Sequence, residues 1–136
     1  MNPEITVEGI VALSQGTLPQ SLGVEPLEVT DEYARGRLVL ESRHLHPFGF
    51  AHGGAWVTLA DTVAAWGTMR HLPPGTAFST VELKTNVFAA AKAGDELVAT
   101  ATPLHTGRST QVWEVRIHRG ERQMAHFVCT QMVLPA

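Results

Sequence analysis

Cysteine is almost absent: there is one, Cys129, so no internal disulfide can form, and a reducing, cytoplasmic setting is the expectation. In FVCTQMV it alternates with strand-like neighbours and reads as a packed core thiol, not a nucleophile. Charge is scarce as well. Asp, Glu, Lys and Arg make up 17% of the chain, against about 25% in average soluble proteins. The net charge of -3 leaves no basic footprint for nucleic acid. No apolar run approaches the roughly 20 residues of a bilayer span. The opening MNPEITVEGIVALSQG has Glu4 and Glu8 but no early Lys or Arg, so a signal peptide is not expected. Linkers, repeats and low-complexity segments are missing too.

What remains is apolar: 44% of 136 residues are hydrophobic. That suits one domain, residues 1–136, with a real core and some surface buried against further copies of the chain. Residues 5–15 have helical spacing at Ile5, Ile10, Val11 and Leu13, within an N-terminal lead-in of residues 1–18. Strand-like runs follow in SLGVEPLEVTD and YARGRLVLE; in the second, Leu38 and Leu40 face away from Arg37, Val39 and Glu41. A glycine-bearing loop spans about residues 44–54. AWVTLADTVAAWGTMRH then places Trp56, Leu59, Ala60, Val63 and Trp66 on one helical stripe, and LPPG ends it. From there the period is two, through FSTVELKTNVF, DELVATATPLH, STQVWEVRIHR and MAHFVCTQMVL. Turns fall at residues 92–95 and 118–121. Strands flanking one long helix predict an antiparallel sheet with that helix on one face, and a partner subunit covering what the chain itself leaves open.

The chemistry concentrates at that helix. Between Ala55 and Met69 its sole charge is Asp61, about 140° round from Trp56 among Val57, Thr58, Ala64 and Ala65. Asp61 is either an ordinary exposed aspartate or a poorly solvated carboxylate fit to act as nucleophile or base. Upstream, His52-Gly53-Gly54 opens the helix. The first N–H groups of a helix lack internal partners and lie at the positive dipole end, where they suit a developing oxyanion. The plainer reading is that Gly49, Gly53 and Gly54 serve a tight turn.

HPFGFAHGGAWVTLADT, residues 46–62, resembles the signature of hot-dog-fold acyl-CoA thioesterases, the group that includes the phenylacetate-degradation and 4-hydroxybenzoyl-CoA enzymes. Their pattern is Asn or Gln, then G-x-x-H-G-G, then L-A-[DE]. The similarity runs on through TVELKTNVFAAAKAGDEL and LHTGRSTQVWEVRI, covering roughly residues 20–134. It implies an α+β hot-dog fold, an antiparallel sheet wrapped around one long central helix. It also implies hydrolysis of a small, aromatic acyl-CoA, with coenzyme A part of the substrate and no separate cofactor. A homodimer assembled into a homotetramer follows, with helix start and carboxylate contributed by different subunits.

By position, the resemblance makes Asp61 the catalytic carboxylate, as nucleophile or general base, and Gly53 the N–H that polarises the thioester carbonyl. The hydroxyl partner of Asp61 is Thr80 when counted back from Gly94-Asp95, or Ser79 when counted forward from Asp61; Thr80 is preferred, since the strand register is better fixed than the LPPG loop. His46 stands where the family has Asn or Gln; it can donate one hydrogen bond there but titrates near neutrality. His52 joins the catalytic set, and Gly54 and Ser79 the substrate contacts. Gly107, Arg108 and Ser109, between two strands, offer N–H groups and a cation to the phosphates of coenzyme A, unless Arg108 is simply an exposed hairpin residue. Trp56 and Trp66 are core residues before they are an acyl pocket. Three rivals are weaker. A zinc site on His44, His46 and His52 lacks a cysteine or third carboxylate; a hot-dog dehydratase uses other motifs; a non-catalytic acyl-CoA-binding module would have no use for Asp61.

Overall fold

In the computed structural model, which describes residues 1–135, the alternating segments become six strands. They are β1 Glu25–Val29, β2 Ala34–Val39, β3 Phe78–Val87, β4 Glu96–Thr106, β5 Thr110–Arg119 and β6 Arg122–Val133. All pairings are antiparallel and the order is β1-β2-β4-β5-β6-β3. The helices are α1 Val7–Ser14, α2 Leu18–Ser21 and α3 Gly53–Arg70. The sheet curls around α3, whose stripe of Trp56, Leu59, Ala60, Val63 and Trp66 is at most 3% exposed. This is the hot-dog architecture. No helix among the described residues is long and apolar enough to cross a membrane.

Size selection brings helix and sheet together. The inner face carries Leu38, Leu97, Trp113, Val115, Ile117 and Phe127, all buried, with the small Ala99 and Ala101 on β4 admitting the helix backbone. Two glycines complete the fit: a methyl on Gly36 would lie 2.7 Å from the Trp66 ring, and one on Gly67 would lie 2.5 Å from the Trp113 ring. Leu38 and Leu40 point inward and Val39 outward, as the alternation in β2 implies. The turn at residues 92–95 closes through Asp95 N–H to the Lys92 carbonyl, 3.0 Å, with Gly94 at φ 93°.

Two segments differ from the sequence reading. The strand assigned to SLGVEPLEVTD starts only at Glu25, because residues 18–21 form a helical turn with Pro19 preset at its start. Gly23, at φ 80°, then redirects the chain. In β3 the pairing with β6 slips between Thr80 and Glu82, a bulge at Val81. Past it, Val81, Leu83 and Val87 stand 53%, 39% and 45% exposed on an edge strand, not buried on one face.

The Gly67 contact is testable. In a helix, Gly→Ala gains about 1 kcal/mol of propensity, but overfilling an interior costs about 1–3 kcal/mol. With Trp113 fully buried and unable to retreat, Gly67→Ala is expected to lower the urea midpoint, a net loss of up to about 2 kcal/mol; an unchanged or higher midpoint would contradict this packing.

Candidate active site

The loop before α3 is built on histidine-to-backbone bonds. One turn of 3-10 helix, Ser42–His44, is closed by His44, whose Nδ1 accepts the Glu41 N–H at 2.8 Å. Its Nε2–H donates to the Leu22 carbonyl at 2.6 Å. With both nitrogens engaged and the ring buried, His44 has no lone pair free for a metal. From Leu45 to Ala51 the chain doubles back: His46 N–H meets the Phe50 carbonyl at 2.8 Å and Gly49, at φ 90°, makes the bend. His46 Nδ1 accepts the Phe48 N–H at 3.1 Å. Its ring lines a cavity of about 330 Å³ with Phe50, Trp56 and Phe88.

His52 is the N-cap of α3. Its Nδ1 accepts the Gly54 N–H at 2.8 Å, so Gly54, expected among the substrate contacts, has its amide already spent. Gly53 is different. Among the described residues its N–H has no acceptor, its φ is not positive, and a methyl there would meet nothing within 4 Å. Neither its own backbone nor its own neighbours demand glycine at 53, whereas the turn at Gly49 does.

Asp61 lies farther along α3, half-buried. Thr80 Oγ1 is 2.8 Å from Asp61 Oδ1 and also 2.8 Å from Gln131 Oε1 on β6. Burial pushes the Asp61 carboxyl above its ordinary range, and the Thr80 hydrogen bond partly offsets this. Cys129, behind it, is fully buried; burial and the Asp61 charge push its thiol up to about 12. A cavity of about 430 Å³ opens at Asp61, walled by Ile10 and Leu13 of α1, Leu18 of α2, and Trp66 and Met69 of α3.

The structure thus joins Asp61 to Thr80 and leaves Ser79 exposed beside them. Gly107, Arg108 and Ser109 do not line the Asp61 cavity. The Gly107 N–H closes the β4–β5 hairpin on the Thr110 carbonyl at 2.8 Å, so it is not the free amide the sequence reading offered to phosphate. Arg108 is exposed, on a separate cavity with His71, Leu72 and Thr76. Sequence reasoning missed α2 as a cavity wall, and it missed Gln131. The signal for the latter was present: Phe127, Cys129 and Gln131 share the inward phase of β6, and one of them is polar.

A six-stranded antiparallel sheet curled around one long helix is the fold of the hot-dog thioesterases, a class of thioester hydrolases. The chain belongs to the Thioesterase superfamily, whose family model matches residues 48–126. It is 35% identical over 100 residues to the 1,4-dihydroxy-2-naphthoyl-CoA hydrolase of Listeria monocytogenes, covering 74% of this chain and 80% of that protein. It is 31% identical over 114 residues to the proofreading thioesterase EntH of Cronobacter turicensis, covering 84% and 82%. Among solved structures, a mutant thioesterase PA1618 from Pseudomonas aeruginosa superposes with a TM-score of 0.90 at 24% identity, covering 96% of this chain and 94% of that one. The E. coli PaaI protein, from the phenylacetic acid degradation operon, superposes at 0.83 with 22% identity, covering 93% and 90%. These two likenesses concern the fold.

A carboxyl whose folded-state pKa is raised binds its proton more readily folded than unfolded. Stability is then lost as pH rises from the ordinary carboxylate range through the raised value. Asp61→Asn, which keeps an acceptor for Thr80, is therefore expected to raise the urea midpoint at pH 7. The gain should shrink to nothing in acid, below the ordinary carboxylate pKa; a constant difference across pH would contradict the burial of this charge.

Proposed function

We propose that this chain hydrolyses the thioester of a small aromatic acyl-CoA, with Asp61 as nucleophile or general base and the Gly53 N–H polarising the carbonyl. The observation that carries this reading is the pairing of a half-buried, hydroxyl-bonded carboxylate with a helix-start amide that nothing else occupies. As nucleophile, Asp61 attacks the carbonyl carbon and expels the CoA thiolate, leaving a mixed anhydride that water opens. As base, it takes a proton from the attacking water. Either way the carbonyl oxygen becomes an oxyanion, which the N–H at the positive end of α3 stabilises.

In this reading the active unit is a dimer. Gly53 and Asp61 sit on one helix, and at 1.5 Å per residue they are roughly 12 Å apart along its axis. One carbonyl cannot touch both within a protomer, so each centre takes Gly53 from one copy and Asp61 from another. The bare edge of β3, with Val81, Leu83 and Val87 exposed, is the surface for that pairing, and the dimers assemble further into a tetramer. The aromatic preference draws on the apolar cavity at Asp61, with Trp66 in its wall, and on the fused-ring substrate in the name of the Listeria relative. His46, in the loop that leads to Gly53, orients the thioester or the water through its open Nε2. Arg108, exposed on its hairpin, pairs with a phosphate of the CoA.

Benzoyl-CoA or phenylacetyl-CoA with a thiol reagent should show steady CoA release, and Asp61→Asn should lower kcat by roughly two to four orders of magnitude. Binding without release by the unaltered protein would instead make it an acyl-CoA-binding module. Gly53→Pro tests the amide alone. Proline is favoured at the first helical position, and His52 already has the extended backbone that a residue before proline needs (φ -63°, ψ 143°). The N–H is then lost with the helix intact, and kcat should fall roughly 10²–10³-fold. Activity at the parental level in Gly53→Pro would remove Gly53 from the mechanism.

A further inference from the structure

Gln131 is fully buried and stands in a row of polar groups running from the core to the carboxylate. Its Nε2 is 3.6 Å from Cys129 Sγ and its Oε1 is 2.8 Å from Thr80 Oγ1, which in turn is 2.8 Å from Asp61 Oδ1. A threonine hydroxyl has one proton. In this arrangement Thr80 faces two oxygens, and both short contacts are hydrogen bonds only when Asp61 carries a proton and donates it to Thr80. If Asp61 is ionised, Thr80 must donate to it, and the amide must turn over to present Nε2–H to Thr80. Oε1 then faces Cys129, whose thiol, pushed up to about 12, retains the S–H needed to donate to it. Each direction of the chain is complete, and each belongs to one charge state of Asp61.

We propose that Gln131 is a positioning residue that acts through Thr80, its buried amide reversing the direction of the hydrogen-bond chain as Asp61 gains or loses its charge. This rests on the catalytic role assigned to Asp61 above, where either role begins with the carboxylate ionised and discharges it in the first step. Gln131 lets the site satisfy both states without water or backbone movement. In the orientation seen, Oε1 takes the Thr80 proton and so favours the neutral carboxyl, whereas the ionised carboxylate can keep the Thr80 hydroxyl without the amide. Among the described residues no other group competes for the role. The cavity side offers Ser14 and Thr17 among apolar residues of α1 and α2; α3 offers Thr62 and Ala65; β6 offers Cys129. Glu82, past the bulge on β3, is exposed and acts on Cys129; burial and Thr80 are the causes of the Asp61 shift.

The test compares the pH dependence of benzoyl-CoA hydrolysis in the unaltered protein, Gln131→Met, Thr80→Val and the double variant. A carbon-13 titration of the Asp61 carboxyl, assigned by its loss in Asp61→Asn, runs alongside. Gln131→Met should move the acid limb of kcat/KM and the carboxyl titration downward by about one pH unit, with KM within about twofold. The double variant should shift no further than Thr80→Val alone, because the amide has no other route to Asp61. Gln131→Glu, which keeps the shape but places a second carboxyl on the chain, should shift the limb upward instead and serves if the Met variant does not fold. An unmoved limb and titration in either folded variant, or shifts that add fully in the double variant, overturn the proposal. Failure of the unaltered protein to hydrolyse, or full activity in Asp61→Asn, would sink the catalytic reading instead; the carboxyl titration would still judge Gln131.

Discussion

One carboxylate on a helix with no other charge before Arg70 at its end is the constraint around which this molecule is arranged. Taking Asp61 partly out of water disfavours its charge, and the folded chain answers with a single hydroxyl from a neighbouring strand. Everything nearby serves that contact. α3 is held against the sheet by alanines and glycines too small to push it away, and α1 and α2 close the outer side with apolar groups that bring no competing charge. The bulge at Val81 acts at the same point. It lets Thr80 turn toward the helix while the rest of β3 runs on as an edge.

The beginning of the helix shows a complementary economy. His52 takes the Gly54 amide for itself and leaves the Gly53 amide bare. A helix start normally has several unsatisfied N–H groups; here the cap removes one and so defines which amide faces outward.

Much of this was readable from residue order, for identifiable reasons. α3 announced itself through the stripe Trp56, Leu59, Ala60, Val63 and Trp66, and the strands through alternation, because burial on one face imposes a period that no other residue pattern imitates. Thr80 could be placed by counting from the Gly94-Asp95 turn, a fixed point of local chemistry. Counting from the other side gave Ser79, since loop length carries no periodic signal. The bulge at Val81 was invisible, because an extra residue in a strand is defined by its partner and not by itself. The turn at Leu18–Ser21 was hidden by a sequence with strand-like residues downstream. At Gly107 the error was one of allegiance: a glycine between strands suggests a free amide, and here the hairpin had already claimed it.

Gly53 and Asp61 stand on one continuous helix, and that ties their fates together. An insertion or deletion of a single residue between them would swing the acid by about 100° and carry it away from Thr80. Loops elsewhere in the chain can lengthen or shorten over generations, but this interval behaves as a ruler whose graduations cannot be altered singly. Variation in such a protein is therefore free to explore what surrounds the ruler, such as the lining of the adjoining cavity, long before it can touch the distance itself.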